Sequence, residues 1–439
     1  MSGINDVASR DNPIFIAQHL QLLHQFGYSD PNILYEGVFY RDRNNKWNRD
    51  ALTAVRVLDA ITLTLMTDRP GEAFAAAFDN RHKLTLVLAK DSPVTDEDDQ
   101  IVRELIQTIA ASSTKYAIDV YPFLLSRCRK SIEKQARKIL KAVDQFSPDI
   151  DAVLKEHKYT PQPTLEAEFP KSEIYRHARY ENGAEPLFSE MLHGLLEDLR
   201  GVIASVATLD GEDAKINFML LVDAVSMLSH CHFLAWACTI TLSEWHGRAV
   251  KLRCRLLRFR HYIQGITTLM KEKCFLQNGI EYRWLDPIAT HSGEQTLFLP
   301  DECLNVVSSA LGFIPSDSDQ EKLHKQRSEW SHSVETRLHV EIRLLLQLVD
   351  LSVGPVPLGC SRRTCLCCTL WIKAYNREFC ADWLTSDPSG KARVDWALPG
   401  CPGKKHENIV KAVRNGVRLR CIDEVDWFLF PTESKYSHD

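Results

Sequence analysis

The chain has 439 residues, 44% of them hydrophobic and 25% charged, with a formal net charge of −5. Such a length supports two or three domains with sizeable cores, and the composition excludes a disordered or fibrous protein. The charge balance excludes a chain that is basic throughout, as non-specific nucleic-acid binders are.

The opening residues, MSGINDVASRDNP, are polar and hold no apolar targeting core. With 13 cysteines, an odd number, and no secretory signal, the expectation is a reduced, intracellular protein of cytoplasm or nucleus. Apolar spacing predicts an amphipathic helix over Ile14–Phe26 and a turn-rich loop over Gly27–Asn45. Asn48 is placed to cap a second helix running to about Met66. Two strand-length runs, Ala73–Phe78 and Leu84–Ala89, flank the polar Asp79-Asn80-Arg81-His82 and predict a β-hairpin.

Thr95-Asp96-Glu97-Asp98 then reads as a capping box opening a helix with Ile101, Leu105, Ile106 and Ile109. One or two helices are expected over Tyr116–Phe146, and four prolines make Ser147–Ser172 the least regular stretch. Helices recur over about 174–181, 186–207, 213–242 and 244–272. The run Ala224–Leu242 is uncharged for 19 residues, but its His, Ser and Thr residues favour a buried core helix over a membrane span. Arg248–Arg260 alternates basic and apolar residues, as the solvated face of a core helix would.

Chemistry collects between Leu338 and Cys368. His339-Val340-Glu341 opens an apolar helix that Gly354-Pro355 must break, and Val356–Leu358 reads as a strand. The hydroxyl of Thr364 can cap a further helix from Cys365 to about Tyr375. Cys365 and Cys368, three residues apart, share one face of it. One imidazole and two thiolates supply three zinc ligands and leave the fourth tetrahedral position open, which marks a catalytic site. Glu341, two residues beyond His339, points away from the ligand direction and is free to handle the protons of a bound water. The two helix N-termini would further favour hydroxide. His339 begins the chain's only H-x-E, and Cys365–Cys368 is its only C-x-x-C. A structural zinc knuckle drawing on Cys360, Cys365, Cys367, Cys368, Cys380 or Cys401 is the alternative.

From Cys360 to Cys421 there are 12 Lys/Arg against 5 Asp/Glu, a local excess that suits either an anionic substrate or a solvated face. Ala392–Leu398 is expected as a strand, His406–Arg414 as a helix, and Val417–Cys421 as another strand after Asn415-Gly416. Trp383, Trp396 and Phe379 could stack on a base, with Arg393 as a further substrate contact, although aromatics in a small α/β layer more often fill its core.

H-x-E followed by C-x-x-C, with a Glu that is not a ligand, resembles the zinc-dependent nucleotide and nucleic-acid deaminases. The stretches GCSRRTCLCC and KARVDWALP are most similar to the fungal branch, whose members join a helical body to a C-terminal deaminase-like domain. The resemblance covers about residues 338–400. Thr364 stands where that family has Pro, and both residues start helices.

The resemblance implies a cytidine-deaminase-like layered α/β domain with a large all-α helical body inserted or preceding. It suggests an N-terminal helical segment (1–68), a hairpin giving the first sheet strands (69–92), a helical insertion or body (93–334), the zinc domain (335–425) and a tail (426–439). It further implies hydrolytic deamination of a nucleobase in a nucleotide or nucleic acid; the reading of the 224–242 run as a core helix adds the expectation of no membrane partner. His339, Cys365 and Cys368 would then hold Zn2+, zinc-bound hydroxide would attack, and Glu341 would shuttle protons. A non-catalytic, zinc-stabilised helical scaffold is the competing expectation.

Overall fold

The computed structural model describes residues 4–30, 49–66, 72–157, 168–169, 187–206, 211–240, 242–272, 280–285, 295–351, 354–386, 388–400 and 403–430. The expected helix at 174–181, the cap at Asn48, most of the Gly27–Asn45 loop and the tail beyond Phe430 lie outside them, whereas residues 426–429 continue the last helix. In chain order the elements are α1 (Ile4–Gln25), α2 (Arg49–Thr64), β1 (Phe74–Asp79) and β2 (Thr85–Lys90). Helices follow: α3 (Asp96–Ala110), α4 (Ala117–Phe146), α5 (Ile150–Glu156), α6 (Phe188–Val206), α7 (Gly211–His230), α8 (His232–Ala237) and α9 (His246–Lys271). Next come β3 (Glu281–Trp284), β4 (Gln295–Phe298), α10 (Cys303–Leu311), α11 (Asp317–Lys322), α12 (His324–Ser328) and β5 (Ser333–Thr336). The chain closes with α13 (Val340–Gln347), β6 (Pro355–Cys360), α14 (Leu366–Phe379), β7 (Asp382–Thr385) and α15 (Lys404–Leu429).

These elements form two compact units, one of Met1–Leu63, Glu72–Asp96 and Ile280–Asp439, the other of Thr64–Gly71 and Glu97–Gly279. The first is a layered α/β unit around a five-stranded mixed sheet of order β3-β2-β1-β6-β7. β1 and β2 pair antiparallel with Phe74 opposite Lys90, and the free edge of β1 takes β6 antiparallel with Ala75 opposite Cys360. It is therefore Phe74–Asp79, rather than the second hairpin strand, that carries the ladder to the C-terminal strands. β3 and β7 add in parallel at the two edges.

The alanines Ala75, Ala76 and Ala77 are wholly buried, and α13 packs against β1 and β2. Small side chains suit a strand covered on both faces. α2 presses onto β6 at Gly359, where an added Cβ would lie 2.3 Å from the carbonyl carbon of Leu58. Asp59, next in that helix, accepts a hydrogen bond from the Cys360 amide at 2.8 Å. Because the obstructing atoms are backbone, Gly359→Ala is expected to destabilise the fold by about 3 kcal/mol. A denaturant midpoint unchanged from wild type would contradict that.

Two expectations about the C-terminal region need correction. Ala392–Leu398 is not a strand; its ladder contact is one isolated bridge between Arg337 and Trp396. Its neighbouring loop is laced instead onto the start of α14: Ser389 donates twice to the Thr364 carbonyl, at 2.8 and 2.9 Å, and Leu366 donates to that of Lys391 at 3.0 Å. The apolar residues that suggested a strand, Ala392 and Trp396, reach the core from this turn-rich course. The sheet is finished by β7, a four-residue parallel edge strand.

Nor does the chain turn at Asn415-Gly416, because α15 runs straight through it. Ile409, Val413, Val417, Cys421 and Val425 are fully buried at intervals of four, the stripe of a helix rather than the alternation of a strand. Gly416 serves packing, since a Cβ there would stand 2.9 Å from Cδ1 of Leu370 on α14.

The second unit is helical. α4 carries a buried stripe of Val120, Leu124, Cys128, Ile132, Ala136, Ile139 and Val143, and packs on α9, α6 and α7. The basic face of α9 is engaged within the unit: Arg248 Nη2 donates to Asp149 at 2.9 Å and Lys251 Nζ to Gln145 at 2.9 Å. The uncharged run 224–242 is interrupted at Cys231 between α7 and α8. Among the described residues no helix is long and apolar enough to cross a membrane.

Candidate metal centre

Both chemical motifs sit at helix starts. His339 is the N-cap of α13, with extended backbone (φ −63°, ψ 146°), and its carbonyl accepts from Ile342 and Arg343 at 3.0 and 3.1 Å. Cys365 is the N-cap of α14, and its Sγ accepts from the Cys368 amide at 3.5 Å. Sulfur thus takes the capping place expected of Thr364, whose hydroxyl instead pairs with that of Thr369 at 3.1 Å. The turn between β6 and α14 is tied to β1, where Phe74 donates to Ser361 Oγ at 2.8 Å and Ser361 donates to the Phe74 carbonyl at 2.9 Å.

This scaffold brings the two motifs face to face. His339 Nδ1 lies 3.6 Å from Cys365 Sγ and 3.3 Å from Cys368 Sγ. The three ligand atoms fall within 4.8 Å of one another and all three residues are buried, a geometry that can hold a metal ion. Imidazole with two thiolates is a borderline-soft donor set. Cys360 and Cys367 are buried nearby but stand outside this cluster.

Within the cluster, neighbouring charges act against burial. Burial alone would lower the His339 pKa, but the Cys365 thiolate and the Asp395 carboxylate reverse that and hold it well above its usual value. Burial likewise opposes ionisation of Cys365, yet hydrogen bonds from Cys368 and the facing imidazolium pull that thiol well below the usual range. Burial, reinforced by the adjacent thiolate, pushes Cys368 well up. Metal ligation needs a deprotonated imidazole nitrogen and deprotonated thiols. Loading a metal must expel their protons, which makes affinity pH-dependent.

Glu341 lies in the first turn of α13, and its carboxylate is 3.9 Å from His339 Nδ1, the nitrogen that also faces the thiolates. Only 7% of the residue is exposed, and burial raises its carboxyl pKa. It stands beside the three-residue cluster without joining it.

A further carboxylate, not foreseen from the sequence, approaches the other imidazole nitrogen. Asp395 Oδ1 is 3.7 Å from His339 Nε2, an ion-pair distance too long for a direct hydrogen bond. Arg393 donates to both oxygens of Asp395 at 3.1 and 3.0 Å, and Arg337 Nη2 donates to Oδ2 at 3.1 Å. Burial opposes its charge, but His339 and Arg393 outweigh that and hold Asp395 well below the usual carboxylate range. The available signal was an Asp set one residue after Arg393-Val394 in KARVDWALP. Carboxylates behind metal-bound histidines fix ring orientation, so Asp395→Asn is expected to weaken metal binding about 10–100-fold with the fold retained. Competition against a chelator reads this directly, and unchanged affinity would remove Asp395 from the site.

Trp383 and Trp396 are each 2% exposed and belong to the hydrophobic core. Arg393 is more open, with 39% of its side chain exposed.

Residues 338–400 match the model of a deaminase family, described as OTT_1508_deam-like deaminase. No curated protein and no solved structure matches the chain. The matched segment begins just before His339 and ends just after Trp396, so it contains the whole cluster together with Glu341 and Asp395.

Proposed function

We propose that this chain is a zinc-dependent hydrolytic deaminase acting on a nucleobase in a nucleotide or nucleic acid, of the fungal deaminase-like branch. Glu341 carries this assignment: a buried carboxylate sits beside, but outside, a His/Cys/Cys cluster within a deaminase-like segment. His339, Cys365 and Cys368 would hold the zinc, which when bound supplies an acidified water as nucleophile at neutral pH.

The remaining chemistry belongs to the protein's own groups. Glu341 takes the proton of the attacking water and returns it to the base, so that the exocyclic amine leaves as ammonia and a carbonyl replaces it. Burial, by raising the Glu341 carboxyl, prepares it to hold that proton between the two transfers. Asp395 keeps the His339 ring oriented, and the partly exposed Arg393 is a candidate substrate contact. The burial of Trp383 and Trp396 supports a packing role for both rings. The ladder between β1 and β6 supports treating the hairpin as the first strands of the deaminase sheet and the helical unit as an insertion. Unpaired, buried Cys365, Cys367 and Cys368 suit a reducing, intracellular compartment.

A second reading, a zinc-stapled scaffold without turnover, is favoured by the near-complete burial of both cysteine ligands. Ammonia release decides between them. The full-length, zinc-loaded protein is incubated with bases, nucleosides, nucleotides and short oligonucleotides carrying exocyclic amines. Catalytic release from any of them supports the deaminase, whereas one zinc per chain with no release throughout supports the scaffold.

A further inference from the structure

Charge around the metal cluster does not balance. Asp91 and Asp395 are in contact with Arg337, and Asp395 also with Arg393, while Arg362 lies within electrostatic range of all four. Asp395 is already shared by Arg393, Arg337 and His339. Asp91, with only 6% of its side chain exposed, has Arg337 at 3.7 Å. Arg337 in turn keeps a buried Nε with no acceptor among the described residues.

Arg362 is the cation left over. It lies in the turn between β6 and α14, three residues before Cys365, and is half-buried. Among the described residues no hydrogen bond or ion pair holds its guanidinium. Its neighbours make matters worse: burial first, then Arg393 and Arg337, depress its affinity for its proton, which Asp91 and Asp395 only partly offset. A partly desolvated guanidinium within electrostatic range of two others is unfavourable unless an anion completes the group. Its planar set of donors fits the oxygens of a phosphate in bidentate fashion.

We propose that Arg362, with Arg393 beside it, forms an anion subsite that receives a phosphate group of the substrate. The subsite deepens the deaminase assignment and takes the word substrate from it. The phosphate is either the terminal group of a mononucleotide or a backbone phosphodiester, and the two sources separate experimentally.

The test measures binding to the full-length, zinc-loaded chain at fixed ionic strength. Its ligands are the nucleosides, their 5′-monophosphates and short single-stranded oligonucleotides. The proteins are wild type, Arg362→Gln and Arg363→Gln, the last removing the same charge from the exposed neighbouring position. Wild type is expected to bind a phosphorylated ligand about tenfold more tightly than its nucleoside, Arg362→Gln to lose that preference, and Arg363→Gln to keep it within about twofold. Preference among monophosphates identifies a terminal phosphate, and preference confined to oligonucleotides identifies the backbone. No phosphate preference in wild type, or equal losses in both variants, overturns the subsite.

Should Arg362→Gln fail to fold, Arg362→Lys decides, because it keeps the charge and loses the fork. A several-fold loss of phosphate preference is then expected, and an unchanged preference overturns the proposal. Ammonia released equally from nucleoside and nucleotide would leave the deaminase standing without the subsite. An Arg362-dependent phosphate preference without ammonia from any base would do the reverse.

Discussion

Replacing Cys365 and Cys368 together by Ser will leave the protein without zinc and lower its stability by about 4 kcal/mol. That figure is the linkage contribution of a ligand present at roughly 1,000 times its dissociation constant. In a chain of this size it corresponds to a fall in melting temperature of roughly 4–5 °C. The effect is large because both sulfurs are buried in the main hydrophobic cluster, where unliganded polar replacements find no water. Cys367→Ser, one position away but outside the three-atom cluster, should keep one zinc per chain. Elemental analysis of the three purified proteins checks this, and full zinc retention by the double variant would show that the thiolates were chosen wrongly.

Glu341→Gln is expected to reduce ammonia release about 1,000-fold while zinc content stays at one per chain. The amide matches the carboxylate in shape but cannot carry the proton between water and base. Stability should not fall, because the change removes an ionisable group whose charged form burial already disfavours. Turnover of a true substrate at the wild-type rate would end the assignment of Glu341. Loss of zinc would instead make it a ligand, against its position outside the cluster.

Much of this arrangement was legible in the residues. Apolar runs on either side of Asp79-Asn80-Arg81-His82 announce the hairpin, since the signal for a hairpin is local. The approach of His339 to Cys365 and Cys368 could be anticipated because one helix and one strand are the natural length between them. The illegible parts depend on tertiary context. β7 has four residues, DWLT, and as a parallel edge strand it needs no hydrophobic alternation. Asn415-Gly416 carries a strong turn signal, yet contact with Leu370 gives that glycine a packing use inside a helix. Asp395 escaped notice because its partner is 56 positions earlier, and only folding of the 388–398 loop onto α14 brings it to the imidazole.

The pairing of Ala75 with Cys360 has a consequence in time. At synthesis rates of about 5–20 residues per second, the first strand leaves the ribosome roughly 15–60 s before the strand that completes its ladder. Meanwhile β1 is paired only on its β2 side, and its apolar, nearly uncharged edge is a template for any other chain in the same state. The helical residues 97–279 emerge within that interval and make their own contacts locally, so they can fold while the hairpin waits. Until the carboxyl-terminal half arrives, the β6-facing edge of Phe74–Asp79 therefore stays without its native partner.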